Sequence, residues 1–436
     1  MSASRLSAVL FEGHPGLADL FYRLARIFAL SLVFILPLEA ITAAREMAAA
    51  GMALFLVLFF WARHQFSFRS TVLFWPLIFY VATTVFSLFT AVDMAYTLKE
   101  LRAEVLKGLI VFYVGVHLIQ DQENLKQFWG VILVGLAVMT MAGLVFFFRE
   151  GGSLLNHAVR AGSMHSGYGT LGTYLVMVWP YMLLAPLLWP QPWARWPWLA
   201  LTLAAALLTY ATYNRAAWLA ILLQTALCLV MLSRRRLRTV LLVGLAALVV
   251  AGLMFTAPGS RHGERWDRLV TNPLKTGGTA GDLLALWNYS YKQIKEDPFR
   301  GIGLGRHSFS KAYPEFRRTH QPLLWHAHNM FVDLTLQLGV QGLAAIVLIM
   351  AVLIWALWPH SPPIGGQAAQ AFGAATAAMV AGFCLRNLFD DFFVDDTGMM
   401  FWLLAGLALG GRELIRGKAK ALGNNRPEAA MTGITA

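Results

Sequence analysis

Cysteine is almost missing from this chain: there are two in 436 residues, Cys228 and Cys384. Both lie inside apolar runs, which excludes a disulfide framework and a cysteine-based metal centre. Charge is scarce as well, at 13% Asp, Glu, Lys and Arg against 58% hydrophobic residues. A soluble domain of this length needs a larger polar coat than that. No His-Glu-x-x-His pair of the zinc-protease kind occurs. The first apolar run is not a short segment closed by a small-residue cleavage site, so it reads as a permanent span and not as a removable signal.

What the chain has in quantity is apolar sequence, in runs and not in alternation. A bilayer core about 30 Å thick takes roughly 20 apolar residues per helical span. Candidate spans are 27–43, 47–61, 71–91, 106–119, 128–148, 171–188, 198–212, 217–232, 240–256, 340–357, 369–388 and 399–410. The fourth is short and carries Lys107, which predicts a helix that starts upstream of Leu106 and a lysine partly shielded from lipid. The expected fold is an all-α integral membrane protein of about 12 transmembrane helices with one long polar loop. Its layout is helices 1–9 over residues 1–257, the loop over 258–325, helices 10–12 over 326–411 and a tail over 412–436.

Basic residues in short loops set the orientation. With the N-terminus inside, Arg63, Arg69, Lys126, Arg195, the cluster Arg234–Arg238 and the tail from Arg412 to Arg426 all fall on the cytoplasmic side. The long loop then faces the periplasm. It carries eleven Lys/Arg against six Asp/Glu, which its length permits, because large loops translocate largely regardless of charge. Within it Leu283, Leu284, Trp287, Tyr291 and Ile294 recur at helical spacing. That pattern predicts an amphipathic helix lying on the membrane or capping the bundle. The formal charge of +12 points to anionic partners, membrane lipids among them and nucleic acid not.

Four features can carry chemistry. Arg160, Arg215, Arg261 and Arg265 sit on the outer side, where positive charge runs against the topological bias. A guanidinium fork suits phosphate, so the set predicts a site for a lipid pyrophosphate; the plainer reading is binding to acidic headgroups or pairing with Glu264 or Asp267. Trp325-His326-Ala327-His328-Asn329 marks the return of the loop to the membrane. Either histidine can take a proton from a sugar hydroxyl near neutral pH, with Asn329 or Asp333 orienting the ring. Interfacial anchoring beside Trp325 is the alternative. The glycines at 301, 303 and 305 lack a preceding strand and a following acidic ribose partner, so they read as a sharp turn and not as a nucleotide loop. Arg386, Asp390, Asp391, Asp395 and Asp396 form an outer-side cluster that can bind a divalent cation or hold arginines in place.

Together these stretches resemble the O-antigen ligase and polymerase superfamily, which joins bacterial surface glycans from polyprenyl-diphosphate donors. His326-Ala327-His328-Asn329 followed by Leu338-Gly339-Val340-Gln341-Gly342 is similar to that family's His-x-His-Asn segment and glycine pair. Leu286-Trp287 through Asp297-Pro298-Phe299-Arg300-Gly301-Ile302-Gly303 and Phe309 is similar to its helix, proline turn and glycine loop. Asn214-Arg215-Ala216-Ala217 resembles its Ser-Arg-Gly/Ala signature, and Arg160-Ala161-Gly162 its Arg-x-x-Gly loop. Asn214 stands where the family often has Ser and Gln337 where it often has Glu. Gly281-Asp282 stands where an Arg commonly precedes the Trp helix, with Arg265 the substitute.

The resemblance implies a GT-C-like, membrane-embedded glycosyltransferase of the bacterial inner membrane. Its donor would be an undecaprenyl-diphosphate-linked O-antigen, its acceptor a lipid A–core oligosaccharide, and its active site periplasmic. It implies an inverting transfer with no cofactor and no metal. His328 or His326 would act as base, Arg160, Arg215, Arg265 and Arg261 would hold the diphosphate, and Asn329, Asp390, Asp391, Arg386 and Lys107 would support them. O-antigen polymerase and protein O-oligosaccharyltransferase are the related readings. A secondary transporter or flippase is the alternative of another class; it calls for charge at the bilayer midplane, whereas here Lys107 is the main buried charge.

Overall fold

The computed structural model describes residues 15–38, 41–66, 69–154, 159–162, 167–233, 279–319, 324–360 and 368–424. Among these residues every regular element is helical. In chain order they are α1 (Pro15–Ile35), α2 (Thr42–Arg63), α3 (Phe74–Thr90), α4 (Met94–Glu100), a π-helical turn (Leu101–Leu106), α5 (Lys107–His117), α6 (Gln122–Arg149), α7 (Tyr168–Leu184), α8 (Arg195–Ala211) and α9 (Arg215–Leu232). Then follow α10 (Thr279–Glu296), α11 (His307–Ala312), α12 (Pro314–Thr319), α13 (Met330–Leu338), α14 (Val340–Leu357), α15 (Ala368–Arg386) and α16 (Asp395–Asn424).

Among the described residues, seven helices are long and apolar enough to cross a bilayer: α2, α6, α7 with its short extension to Leu187, α9, α14, α15 and the first part of α16. The apolar α3 is shorter. The chain is a multi-pass membrane protein. The span expected over 240–256, the basic cluster Arg234–Arg238, Arg261 and Arg265 lie outside the described residues. The first expected span, 27–43, runs through a chain reversal, because α1 ends at Ile35 and α2 begins at Thr42. Hydropathy cannot see that turn, since the residues at Leu36–Leu38 are apolar themselves. The fourth expected span does start upstream: α4, the π-turn and α5 follow one another from Met94 to His117 without a break.

In lipid, helices gain little from burying apolar side chains against one another, so close backbone approach decides packing. α15 shows this best. Its Ala- and Gly-rich sequence is buried along nearly its whole length, and it packs against α7, α9, α14 and α16. On α16, Gly406 and Gly410 form a small-xxx-small pair; a Cβ on Gly406 would lie 2.2 Å from the Phe112 carbonyl oxygen of α5. Any larger residue there forces two spans apart.

Contacts sort the loops to two ends of this bundle. At one end Arg69 donates to the carbonyls of Val116 and Ile119, and Gln122 Oε1 accepts from Ala368 N. At the other, Arg45 pairs with Asp396, Lys311 with Asp93, and Val92 N donates to Ile302 O. The long loop is held at this second end. Its helix α10 turns Leu286 and Ser290 fully inward, packs Leu283, Trp287 and Ile294 beside them, and leaves Tyr291 65% exposed, so Tyr291 alone of these departs from the expected stripe. Leu286 packs with Phe309, Phe316, Leu324, Ala327 and Leu336 in a small core of its own. This core ties α10 to the segment that carries the two histidines.

Candidate active site

The histidine segment is built by local rules. Asn329 caps α13, its side-chain oxygen accepting from Phe331 N and Val332 N at 3.0 and 3.2 Å. His328 just before it takes a left-handed backbone, φ 49°, a region that non-glycine residues enter rarely and histidine more readily than most. Main-chain bonds then lock the segment onto the loop after α15. Met330 N donates to Asn387 O and Asp390 O at 3.0 and 3.1 Å, and Asn329 Nδ2 donates to Leu388 O at 2.9 Å. From the other side Trp287 Nε1 of α10 donates to Ala327 O at 2.9 Å.

These bonds bring five titratable side chains together. His326 is buried, 1% exposed, with Nδ1 3.0 Å from Asp333 Oδ2; the other oxygen of Asp333 accepts from Ala327 N at 2.8 Å. The same Nδ1 also faces the His328 backbone N–H at 3.1 Å. His328 is 25% exposed, and its Nδ1 lies 3.1 Å from Asp390 Oδ1. The two imidazole centroids are 3.9 Å apart. Arg386, buried at the end of α15, stands over the Phe392 ring at 4.5 Å and reaches Asp390 Oδ2 at 3.9 Å. Arg306 stacks over Trp325 at 4.8 Å, with Nη2 3.4 Å from His326 Nε2 and Nε 4.0 Å from Asp391 Oδ2.

The electrostatics follow from burial and these neighbours. Burial lowers the His326 pKa in spite of its bond to Asp333, which keeps the ring neutral. Burial pushes Asp390 upward, but the hydrogen bond from His328 and the charge of Arg386 outweigh it and hold the carboxyl at about 2. Asp391 goes the other way: burial and the charge of Asp333 raise it, with Arg306 as the main opposing cation. Two neighbouring carboxyls are thus driven apart, one ionised and one inclined to hold a proton, a pattern typical of acid–base sites.

Arg160 joins the site through aromatic contacts. It lies 4.5 Å over the Tyr168 ring; Tyr168 opens α7, where Gly169 abuts the Phe392 ring under Arg386. Ala161 N donates to Ala211 O at 2.9 Å, which ties the Arg160 loop to the end of α8, four residues before Arg215. Asn214 caps α9, accepting from Ala217 N at 3.2 Å, and leaves the exposed Arg215 at its first turn. Helix N-termini favour anions. Lys107 lies elsewhere, paired with Glu46 at 2.7 Å and partly exposed. Asp395 and Asp396 are engaged too, Asp395 N donating to the Glu104 carboxylate and Asp396 pairing with Arg45.

Arg306, Tyr96, Glu100 and Glu104 border this site without having been singled out in the sequence. Arg306 stands in the glycine stretch that read only as a turn, and the two glutamates surround a π-turn that leaves no hydropathic trace. As to metal, His326, His328 and Asp390 offer ligand atoms within 4.8 Å of one another. The Nδ1 atom of each ring faces a carboxylate, and Arg306 and Arg386 stand at 3.4 and 3.9 Å from His326 Nε2 and Asp390 Oδ2, so a dication would meet two guanidinium groups.

A histidine on a carboxylate, with Arg306 and Arg386 within 4 Å of the cluster, can exchange a proton beside groups that attract anions. Residues 199–347 match the O-antigen ligase family. That stretch runs from α8 to α14 and includes Arg215, α10, Arg306 and both histidines. No curated protein matches the chain. The O-antigen ligase match agrees with the family suggested by the histidine, glycine and arginine motifs, and it supports glycosyltransferase-type chemistry on lipid-linked glycans.

Proposed function

We propose that this chain is an O-antigen ligase of the bacterial inner membrane, moving a glycan from undecaprenyl diphosphate to lipid A–core oligosaccharide on the periplasmic face. The His328–Asp390 pair carries the reading. His328 is accessible, its Nδ1–H points at an ionised carboxylate, and its ring is therefore the one prepared to accept a proton at Nε2. His326 is sealed in and works behind it. Asp390 stabilises the imidazolium as it forms.

In the proposed reaction the acceptor hydroxyl gives its proton to His328, and its oxygen attacks the anomeric carbon of the donor. The bond from that carbon to the diphosphate oxygen breaks and the electron pair leaves with the polyprenyl diphosphate. Attack opposite the leaving group inverts the carbon. Arg160, Arg215 and Arg386 meet the charge that grows on the diphosphate, which is the interaction that lowers the barrier; Arg261 and Arg265 are assigned the same task. The guanidinium groups supply positive charge without a metal. The 258–325 segment, facing the periplasm, would cover the site, and 412–436 would lie in the cytoplasm.

Lipopolysaccharide banding from a deletion strain tests the proposal. Loss of every O-antigen-bearing band, with lipid-linked polymer accumulating, is the expected result. Survival of a single-repeat band would instead identify a polymerase, which would use the same donor and the same catalytic pair. An unchanged ladder would return the chain to the transporter class.

A further inference from the structure

Next to the histidine segment, lined by Trp325, Arg306 and Asp391 and not by Arg160, lies a cavity of about 280 Å³. Its wall includes Glu100, Glu104, Asp391, Asp395, Lys99 and Arg306. Four acidic side chains against Lys99, Arg306 and the imidazole of His307 make it a poor host for a diphosphate. Its volume falls just under the roughly 300–1,000 Å³ of pockets for drug-sized ligands, enough for one sugar ring and too little for an oligosaccharide.

The backbone is bent to form this cavity. Glu100 and Glu104 flank the π-turn Leu101–Leu106 between α4 and α5, and π-turns inside α-helices recur at functional sites. The opposite wall comes close because of glycine: Gly305 has φ 114°, and a Cβ there would lie 2.6 Å from Glu100 Cγ. Arg306 lines the cavity with its guanidinium held over Trp325 at 4.8 Å and its Nε 4.0 Å from Asp391 Oδ2. Trp325 and Asp391 line the cavity and are chain neighbours of His326 and Asp390. His326, His328 and Asp390 are not in its wall, but Arg306 is, and its Nη2 lies 3.4 Å from His326 Nε2, so the cavity is one side chain away from the histidines.

We infer that this cavity is the acceptor subsite, and that it takes a single neutral or amino-bearing sugar ring whose hydroxyl or ammonium groups donate to Glu100 and Glu104. The inference rests on the transferase reading above and divides the site by charge. Phosphate belongs to the arginine side at Arg160 and Arg215, and the attacking sugar to the carboxylate side. A phosphorylated acceptor ring would be rejected for the same reason.

The test uses the full chain in nanodiscs, with undecaprenyl-diphosphate-linked O-antigen and lipid A–core titrated separately. Glu104→Gln and Glu100→Gln should each raise the acceptor KM roughly tenfold or more, the cost of one charge-assisted hydrogen bond. Their donor KM should stay within about twofold of wild type. An unchanged acceptor KM, or a rise in donor KM, overturns the subsite. Glu104 also accepts from Asp395 N, so Glu100→Gln carries the test if the other variant fails to insert. Should the wild-type chain extend a glycan instead of ligating it, the ligase reading falls and the same variants are titrated against the growing glycan. If wild type transfers to neither acceptor, both readings fall.

Discussion

Replacing Asp390 by Asn tests the base assignment more sharply than removing a histidine, because it leaves both rings in place. The carboxylate lies 3.1 Å from His328 Nδ1. At an effective dielectric of about 20, a full imidazolium–carboxylate pair at that distance is worth roughly 5 kcal/mol. With the proton about half transferred in the transition state, some 2.7 kcal/mol of that is at stake, or roughly 100-fold in kcat. Asn can also offer its amide N–H to Nδ1, which favours the tautomer with the proton on Nε2, where the substrate proton must go; the loss then rises toward about 10⁴-fold. Single-turnover transfer in nanodiscs at saturating donor and acceptor reads the chemical step, and thermal unfolding checks that the variant is folded. The expected outcome is a fall in kcat of at least about 100-fold with both KM values little changed. A folded Asp390→Asn protein within about threefold of wild type would refute the pair as the base.

Three further outcomes are expected. His328→Ala should abolish nearly all transfer while binding of the lipid-linked donor persists; His326→Ala should lower the rate less, and near-normal transfer by both variants would sink the histidine assignment. Arg215→Ala should weaken donor binding and turnover together, with Arg215→Lys restoring only part, because an ammonium lacks the bidentate fork; equal activity of the Lys variant would argue against phosphate at this position. Asp391→Asn should change the pH dependence of stability in one direction. A carboxyl whose folded pKa is raised contributes stability below its unfolded value near about 4 and loses it as pH rises through the folded value, so the variant should gain thermal stability relative to wild type as pH climbs toward neutrality, and a difference independent of pH would contradict the buried, repelled carboxyl.

The histidine pair, Arg160 and Arg215 were legible as residues of the right type at the outer rim, while Asn329, read as a partner for a histidine ring, instead caps α13 and donates to Leu388 O. What the sequence does not spell out is partnership. His328 and Asp390 are 62 residues apart, and nothing in either segment names the other; only the docking of α13 on the loop after α15 joins them. Asp333 could be read as orienting a histidine, but not which one. The spans were legible as apolar mass and less so as individual helices, since a reversal made of Leu-Pro-Leu has the same hydropathy as the helix before it. α10 was legible as amphipathic, yet its inner face is decided by Leu286 and Ser290, a small polar residue that hydropathy counts as outward. Arg306 and the two glutamates stayed hidden because the features that aim them, positive-φ glycines and a π-turn, are conformational and leave no periodicity.

The main-chain bonds from Met330 N to Asn387 O and Asp390 O, and the bond from Asn329 Nδ2 to Leu388 O, have a kinetic corollary. The two halves of the proposed proton-transfer pair ride on one fastened block, so the bonds that dock α13 also hold their separation. On the transferase reading the base needs no assembly step, and gating falls on the traffic of donor and acceptor into and out of the bundle's end; a rate-limiting step there would be felt as a dependence on bilayer fluidity and not on the solvent isotope.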